Sequence, residues 1–224
     1  MDLAARDHEY LEELAEHHVG GFLKVAPEHA SDRVLEKMKK PSKASFEEFD
    51  RNFRAASKRV GKDQFLVPYF IASHPGSSVE DMIELAIFLK QRGYTPRQVQ
   101  DFIPAPMDIA PCMYFPGLAP ITMQPVDTPK KLQDRKVQRA LMQFFEPANW
   151  FVVRKALLDA GRGALIGSGR MCLIPAKPPK EALQQKRKEA ERKLGQHAYV
   201  HSDAAGTDRS VGYRPHRRGA KKRR

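Results

Sequence analysis

The feature that most constrains the fold of this chain is the alternation of short apolar runs with helix-length amphipathic segments. Apolar runs at 22–26, 65–72 and 99–103 have the length and composition of buried strands. Strands that alternate with helices of this kind usually pair in parallel through right-handed crossovers. The sequence therefore predicts an α/β fold built on a parallel sheet, with ligands expected beyond the carboxyl ends of the strands.

The helices around these strands are predicted from apolar residues spaced three and four apart. Ser31 suits the N-cap of a helix that ends before Pro41, and Ser45 with Glu48 suits a capping box at the start of another. The helix that starts at Ser45 is predicted at 45–60, and further helices are predicted at 3–18 and 79–91.

The second half of the chain changes character at residue 104. Seven prolines between 104 and 129 predict an extended loop without regular structure. Helices at 130–145 and 150–160 suit a helical hairpin, a charged helix is predicted at 180–194, and the composition beyond Gly195 is typical of disorder. The expected domains are 1–125, 126–178 and 179–224.

The net charge of +12 is concentrated at the carboxyl terminus. Lys and Arg occupy seven of the last eleven residues, and the remaining 32 basic and 27 acidic residues leave only +5. A tail of this kind binds RNA or a ribosome by counterion release, or it is simply a solvated terminus. The sequence leaves both interpretations open.

Cysteine content and hydropathy bear on the compartment. Cys112 and Cys172 lie 60 positions apart, so neither a structural disulfide nor a closed metal site is expected, and reduced thiols fit the cytosol. No apolar run approaches the roughly 20 residues of a membrane span, and the first residues lack the order of a signal peptide. A cytoplasmic protein without a membrane partner is expected.

Three strand ends carry the candidate site residues. After the first strand, Glu28 suits the acceptance of hydrogen bonds from ribose hydroxyls, and His29 suits hydrogen bonding or metal binding. The alternative is that both are solvated turn residues. After the second, Ser73-His-Pro-Gly-Ser-Ser offers small residues and free N–H groups at a helix start, which suit a nucleotide-like ligand. The alternative for His74 is a hydrogen bond to a backbone carbonyl.

The third strand end contributes Asp101 and Ile103. Ile103 either packs on a flat ring such as adenine or belongs to the core. Asp101 and Glu28 also suggest paired carboxylates for acid–base catalysis, although nothing in the sequence fixes their separation.

Ordered motifs at these strand ends resemble the carboxyl-terminal part of YgiQ-type radical SAM proteins. The resemblance covers about residues 1–178, with Gly212-Tyr-Arg-Pro-His-Arg near the end. Its motifs are His18-Val-Gly-Gly-Phe-Leu-Lys-Val-Ala-Pro-Glu-His, Leu66-Val-Pro-Tyr-Phe-Ile-Ala-Ser-His-Pro-Gly, Gln98-Val-Gln-Asp-Phe-Ile-Pro-Ala-Pro-Met, Cys112-Met-Tyr, Pro147-Ala-Asn-Trp and Leu165-Ile-Gly-Ser-Gly.

The resemblance implies the carboxyl-terminal half of a partial (β/α)6 radical SAM barrel, followed by a small mainly helical domain and a disordered basic tail. S-adenosylmethionine (SAM) would lie across the strand ends, bound to a 4Fe-4S cluster. Glu28 would contact the ribose and Lys40 the carboxylate of SAM. The other implied SAM contacts are Ile71, Ser73, His74, Pro75, Ile103, Pro104 and Ala105. Many radical SAM proteins carry glycine where this chain has Ser73.

The family's cluster motif, Cys-x3-Cys-x2-Cys, does not occur in these 224 residues. The resemblance therefore implies a fragment of an enzyme that cleaves SAM reductively to a 5'-deoxyadenosyl radical, inactive alone. Its expected partners are an amino-terminal complementing fragment and a reductant such as flavodoxin or ferredoxin. The strand at 22–26 is expected to have an unpaired edge that makes the isolated chain poorly stable. RNA or ribosome binding through the tail is the alternative function.

Overall fold

The computed structural model describes residues 2–194, 198–200 and 211–213. The chain divides into two compact units, Met1–Gln143 and Phe144–Arg224. The first unit combines a parallel three-stranded sheet with helices, which confirms the predicted α/β class. Its strands are β1 (Phe22–Glu28), β2 (Phe65–Ala72) and β3 (Gln100–Asp101), and its helices are α1 (Asp2–Arg6), α2 (His8–Glu13), α3 (Asp32–Lys37), α4 (Lys43–Arg59), α5 (Val79–Arg92), α6 (Ile109–Tyr114) and α7 (Leu132–Met142).

The sheet has the order β1-β2-β3, with β2 in the centre. Phe22 pairs with Phe65 at one end, and Ala72 pairs with Asp101 at the other. The prediction for β2 is confirmed to the residue, β1 runs two residues further than expected, and β3 is shorter. Among the described residues β1 pairs only with β2, as the expectation of an unpaired edge required.

One face of the sheet is packed and the other is open. On the packed face, Phe70 of β2 contacts Phe88 of α5 edge to face at 6.3 Å, and Phe46 of α4 meets the same ring at 6.2 Å. On the open face, the neighbouring rings of Phe22 and Phe65 are mostly exposed. The apolar core of this unit therefore lies between the sheet and the helices on its packed face.

Two helix starts differ from prediction. The helix expected at 3–18 is interrupted at Asp7, whose carboxylate accepts the Tyr10 N–H at 2.9 Å and so caps α2. The chain continues from α2 into a π-helical turn, Leu14–His18. The capping box at Ser45 is wrong, because α4 begins earlier and Ser42 occupies the cap, accepting the Ser45 N–H at 3.4 Å.

The prediction that the proline-rich segment lacks regular structure is also wrong. It contains α6, which Asp108 caps by accepting the Ala110 N–H at 3.3 Å. Pro111 lies in the first turn of α6, where its missing N–H costs no hydrogen bond. An antiparallel bridge between Leu118 and Pro125 then closes a turn.

The second unit is mainly helical around Trp150. Its indole N–H donates to the Pro175 carbonyl at 3.0 Å, and its ring meets Phe151 edge to face at 4.9 Å. The elements are 3-10 turns at Pro147–Asn149 and Gly163–Leu165, helices α8 (Trp150–Asp159) and α9 (Lys180–Leu194), and antiparallel strands β4 (Ala198–Val200) and β5 (Val211–Tyr213).

The expectation of disorder beyond Gly195 is wrong for β4 and β5, which pair with each other. The basic tail, residues 214–224, lies outside the described residues, so the predictions attached to it stay predictions. Within the described part of the chain, the helices are too short or too polar to span a bilayer.

Candidate functional site

A cleft of about 270 Å³ lies where the three strands of the first unit end. It brings together five of the residues expected to contact SAM: Glu28, Lys40, Ile71, His74 and Ile103. The remaining four, Ser73, Pro75, Pro104 and Ala105, do not line it. We call this the strand-end cleft; its other lining residues are Lys37, Met38, Gln100, Asp101, Phe102, Asp108, Ile109 and Ala110.

Glu28 and Lys40 bind each other in this cleft. Glu28 ends β1 with φ +69°, a left-handed conformation that non-glycine residues seldom adopt. Its Oε1 lies 3.3 Å from Nζ of Lys40. The expected ribose acceptor and the expected carboxylate-binding cation thus form an ion pair that a ligand would have to share or open.

His74 is a neutral hydrogen-bonding group. Its Nδ1 lies 2.7 Å from the Pro75 carbonyl oxygen, which only accepts, so Nδ1 carries the proton and Nε2 is the acceptor. Its ring meets Phe102 edge to face at 5.1 Å. Burial lowers the pKa of His74 below its ordinary value. The hydrogen bond to a backbone carbonyl, one of the two sequence interpretations, is therefore present.

The turn after β2 is held by a side chain that the sequence analysis missed. Oε1 of Gln138 on α7 accepts the Ser73 N–H at 2.8 Å, and its Nε2 donates to the Ser77 carbonyl at 2.7 Å. Gln138 is 2% exposed and falls in the same helical stripe as buried Leu141 and Met142. A polar residue inside the apolar stripe of a predicted helix was the signal available.

Ser73 itself sits in an unfavourable backbone conformation. Its φ is +66°, and its buried hydroxyl makes no hydrogen bond to the described part of the chain. Glycine adopts this conformation without steric cost. The departure from glycine noted in the sequence thus coincides with a position whose geometry favours glycine.

His29 belongs to the protein interior and not to the cleft. It is 1% exposed, and its Nδ1 accepts the Ser31 N–H at 3.0 Å. Burial lowers the pKa of His29 to about 4, partly opposed by the charge of Asp81. The interpretation of His29 as a solvated turn residue is therefore wrong, since the side chain is buried.

Asp81 joins the first two strand ends. Its carboxylate accepts hydrogen bonds from the Ser31 hydroxyl at 2.7 Å, from the Ser78 N–H at 2.9 Å and from the Arg33 guanidinium. Burial acts to raise the pKa of Asp81, but these hydrogen bonds outweigh it and lower the pKa to about 2. Ser31 takes the N-cap position of α3 as predicted, although its hydroxyl donates to Asp81 and does not cap the helix.

Asp101 is bound by two arginines of α7. Its Oδ2 accepts from the Arg139 guanidinium and lies 3.7 Å from that of Arg135. Glu28 and Asp101 both line the cleft, yet each is paired with a different cation. This pairing favours a structural role for Asp101 over acid–base catalysis by paired carboxylates.

Each cysteine thiol donates to the carbonyl of a residue nearby in sequence. The Cys112 thiol lies 3.6 Å from the Asp108 carbonyl oxygen, and the Cys172 thiol lies 3.6 Å from that of Ala164. In the described ranges, no three His, Cys, Asp or Glu side chains are arranged to hold a metal ion. The described residues therefore do not fit a 4Fe-4S cluster.

Fold and cleft together define an α/β protein with a ligand-sized cavity at the carboxyl ends of parallel strands. Residues 97–223 match the family model described as "Domain of unknown function (DUF3362)". The chain belongs to this family, since the match covers more than half of its length.

Homologues named UPF0313 protein, a YgiQ-type family, confirm the resemblance at the level of family. One, from Clostridium botulinum, is 46% identical over 170 residues, which cover 76% of this chain and 27% of the relative. Another, from Methanosarcina acetivorans, is 47% identical over 176 residues, covering 79% of this chain and 24% of the relative. The chain spans about a quarter of the length of these relatives. No solved structure matches it.

Proposed function

We propose that the strand-end cleft contributes part of the SAM site of a radical SAM enzyme. The observation that carries the proposal is the convergence of Glu28, Lys40, Ile71, His74 and Ile103, which lie far apart in sequence, on one cleft. The motif resemblance and the relationship to YgiQ-type proteins support it.

The chemistry of the lining fits an adenosyl ligand. Ile103 is 74% exposed, so the core-packing alternative is wrong for this residue, and a flat ring laid on it would remove apolar surface from water. Glu28 supplies an acceptor for ribose hydroxyls, and the acceptor nitrogen of His74 suits an amino or hydroxyl donor. Lys40 supplies a cation for the ligand's carboxylate once its pairing with Glu28 is shared.

SAM, once bound beside a cluster, would supply the radical for hydrogen abstraction from a substrate. Because the described residues do not fit the cluster, we assign its ligands to a segment outside these 224 residues. That segment would also cover the open sheet face and the free edge of β1, and a flavodoxin or ferredoxin would be the reductant. The residues of this chain bind and orient the cofactor.

Isothermal titration of the 224-residue chain with SAM tests the proposal. We expect saturable binding in the high-micromolar to low-millimolar range, as for a partial site. Glu28→Gln removes the negative charge of the group proposed to accept hydrogen bonds from the ribose hydroxyls, so SAM binding should weaken about tenfold. Glu9→Gln, on the exposed surface of α2, is the control and should leave SAM binding unchanged. Absence of saturable binding, or equal affinities in the two variants, would contradict the proposal.

A further inference from the structure

A second groove, of about 220 Å³, opens beside the strand-end cleft. We call it the side groove. It shares Lys37 and Ile109 with the cleft, so a molecule bound in the groove would lie next to a ligand in the cleft. Its remaining lining residues are Glu36, Lys39, Met113, Ala119, Pro120, Ile121 and Thr122.

The side groove is mainly apolar, and one of its walls is a turn closed by backbone hydrogen bonds. Met113 is buried, and Ile121 is 84% exposed, so its side chain offers apolar surface that a molecule bound in the groove would remove from water. The turn that carries Ile121 is closed by two backbone hydrogen bonds of 2.9 Å, Ala119 N–H to Gln124 and Met123 N–H to Ala119. The groove is thus bounded by a closed turn.

Two lysines give the groove a positive charge. Lys37 and Lys39 make no ion pair with the described residues, unlike Lys40, which is held by Glu28. The lining contains one carboxylate, that of Glu36, so the side groove carries a net charge of +1. An apolar groove with an excess of cations is complementary to a molecule that is apolar at one end and anionic at the other.

The side chain of Lys37 is held by packing, and the backbone of Lys39 is held by the end of α3. The stem of Lys37 lies so close over Gly76 that a Cβ built there would be 2.3 Å from Lys37 Cδ. Lys39 has φ +55°, the left-handed position after a helix that glycine normally occupies. This helix end is closed by hydrogen bonds from the Lys40 N–H to the Leu35 carbonyl at 2.9 Å and from the Lys39 N–H to the Glu36 carbonyl at 3.1 Å, which hold the Lys39 backbone in place.

We propose that the side groove binds the substrate of the enzyme, and that this substrate is an amphiphilic anion. Its aliphatic or aromatic body would lie on Met113 and Ile121, and its anionic group would meet Lys37 and Lys39. The inference rests on the proposed function in one respect, because only a cofactor in the neighbouring cleft makes the occupant a substrate.

Methyl-selective NMR on the 224-residue chain tests the inference with decanoate as the probe, kept below its aggregation concentration. Saturable shifts are expected at Ile109, Met113 and Ile121, while the core methyl of Met142 stays unchanged. Decanol, which has the same chain without the charge, should bind about tenfold more weakly. Equal affinity for decanol, or shifts that include the core methyl, would overturn the proposal.

Variants separate the charge from the apolar surface. Lys37→Gln combined with Lys39→Gln should reduce decanoate affinity about tenfold and leave decanol affinity unchanged. Lys58→Gln, on the exposed surface of α4, is the matched control and should change neither. Unchanged decanoate affinity in the double variant would also overturn the proposal.

A separate SAM titration of the same samples distinguishes the two claims. If decanoate binds with the expected lysine dependence and SAM does not bind, the proposed function fails and an anion site remains. If SAM binds and decanoate does not, the inference about the substrate fails alone.

Discussion

The side-chain oxygen of Gln138 accepts the backbone N–H of Ser73 at 2.8 Å, across 65 residues of sequence. The same amide donates to the Ser77 carbonyl, so one side chain of α7 satisfies two backbone groups of the turn after β2. Both partners are buried. The shape of the cleft wall formed by this turn therefore depends on α7.

Gln138→Ala should destabilise the protein by about 2 to 4 kcal/mol, because it leaves a buried N–H and a buried carbonyl unsatisfied. Urea denaturation of the variant and the wild type measures the loss. Gln133→Ala makes the same chemical change on the exposed surface of α7 and should cost less than about 0.5 kcal/mol. Similar losses in the two variants would show that the hydrogen bonds of Gln138 are not important.

Ser73→Gly should stabilise the protein by about 1 kcal/mol, since glycine adopts φ +66° without steric cost and the unpartnered hydroxyl is removed. Ser73→Ala removes the hydroxyl but keeps the Cβ. Thermal unfolding of both variants separates the two causes: a gain confined to glycine identifies the backbone, and an equal gain identifies the hydroxyl. A loss of stability in both variants would contradict this account of the turn.

His29 should make the stability depend on pH. The folded protein protonates His29 at about 4 and the unfolded chain at about 6.5, so between these values the unfolded state binds more protons. The contribution of neutral His29 to the free energy of unfolding is complete above pH 6.5. It is lost as the pH falls, by about 2 to 3 kcal/mol at pH 4.5. Asp81 stays ionised over this range, since its pKa is about 2.

The pH prediction is checked by urea denaturation at pH 7.5 and 4.5 in wild type and His29→Gln. The variant keeps a side-chain acceptor for the Ser31 N–H and does not titrate, so its stability should fall less on acidification. Buried His74, whose pKa is also lowered, remains in both proteins and cancels in the comparison. Equal losses would mean that His29 is protonated in the folded state without cost.

Asp81→Asn should cost about 2 kcal/mol at pH 7, because it removes the charge that Arg33 and the Ser31 hydroxyl bind. The folded carboxyl has a pKa of about 2 against 3.8 when unperturbed, so its contribution is present above 3.8 and is lost as the pH falls towards 2. Glu80→Gln removes a charge from the same helical turn and is the control. Equal denaturation midpoints for the two variants would contradict the assigned network.

The parts of the fold that were predicted correctly are those with strong local signals. The run 65–72 is apolar and bounded by polar turns, and α5 begins at a Ser78–Asp81 capping box and ends at Gly93, so local sequence alone places both elements. Prediction failed where one residue has two local roles. Pro111 was interpreted as a helix breaker although it lies in the first turn of α6, and Asp7 was interpreted as helical although it caps α2.

The site was predictable as a location and less so as a set of contacts. Strand ends of a parallel sheet meet at one edge, so Glu28, His74 and Ile103 had to be near one another once the strands were placed. The partners of these residues come from distant elements, however. Nothing local indicates that Gln138 would bind the turn after β2, or that Lys40 would pair with Glu28.

The contact between Gln138 and the turn after β2 has a consequence for how the molecule can be divided. The DUF3362 match begins at residue 97, whereas the compact unit that includes α7 ends at Gln143. A protein expressed from residue 97 onward would keep α7 and its ion pairs with Asp101, but it would lose β1, β2 and α5, so the amide of Gln138 would lose both of its backbone partners. The family boundary drawn from sequence therefore cuts through one compact unit of the structure.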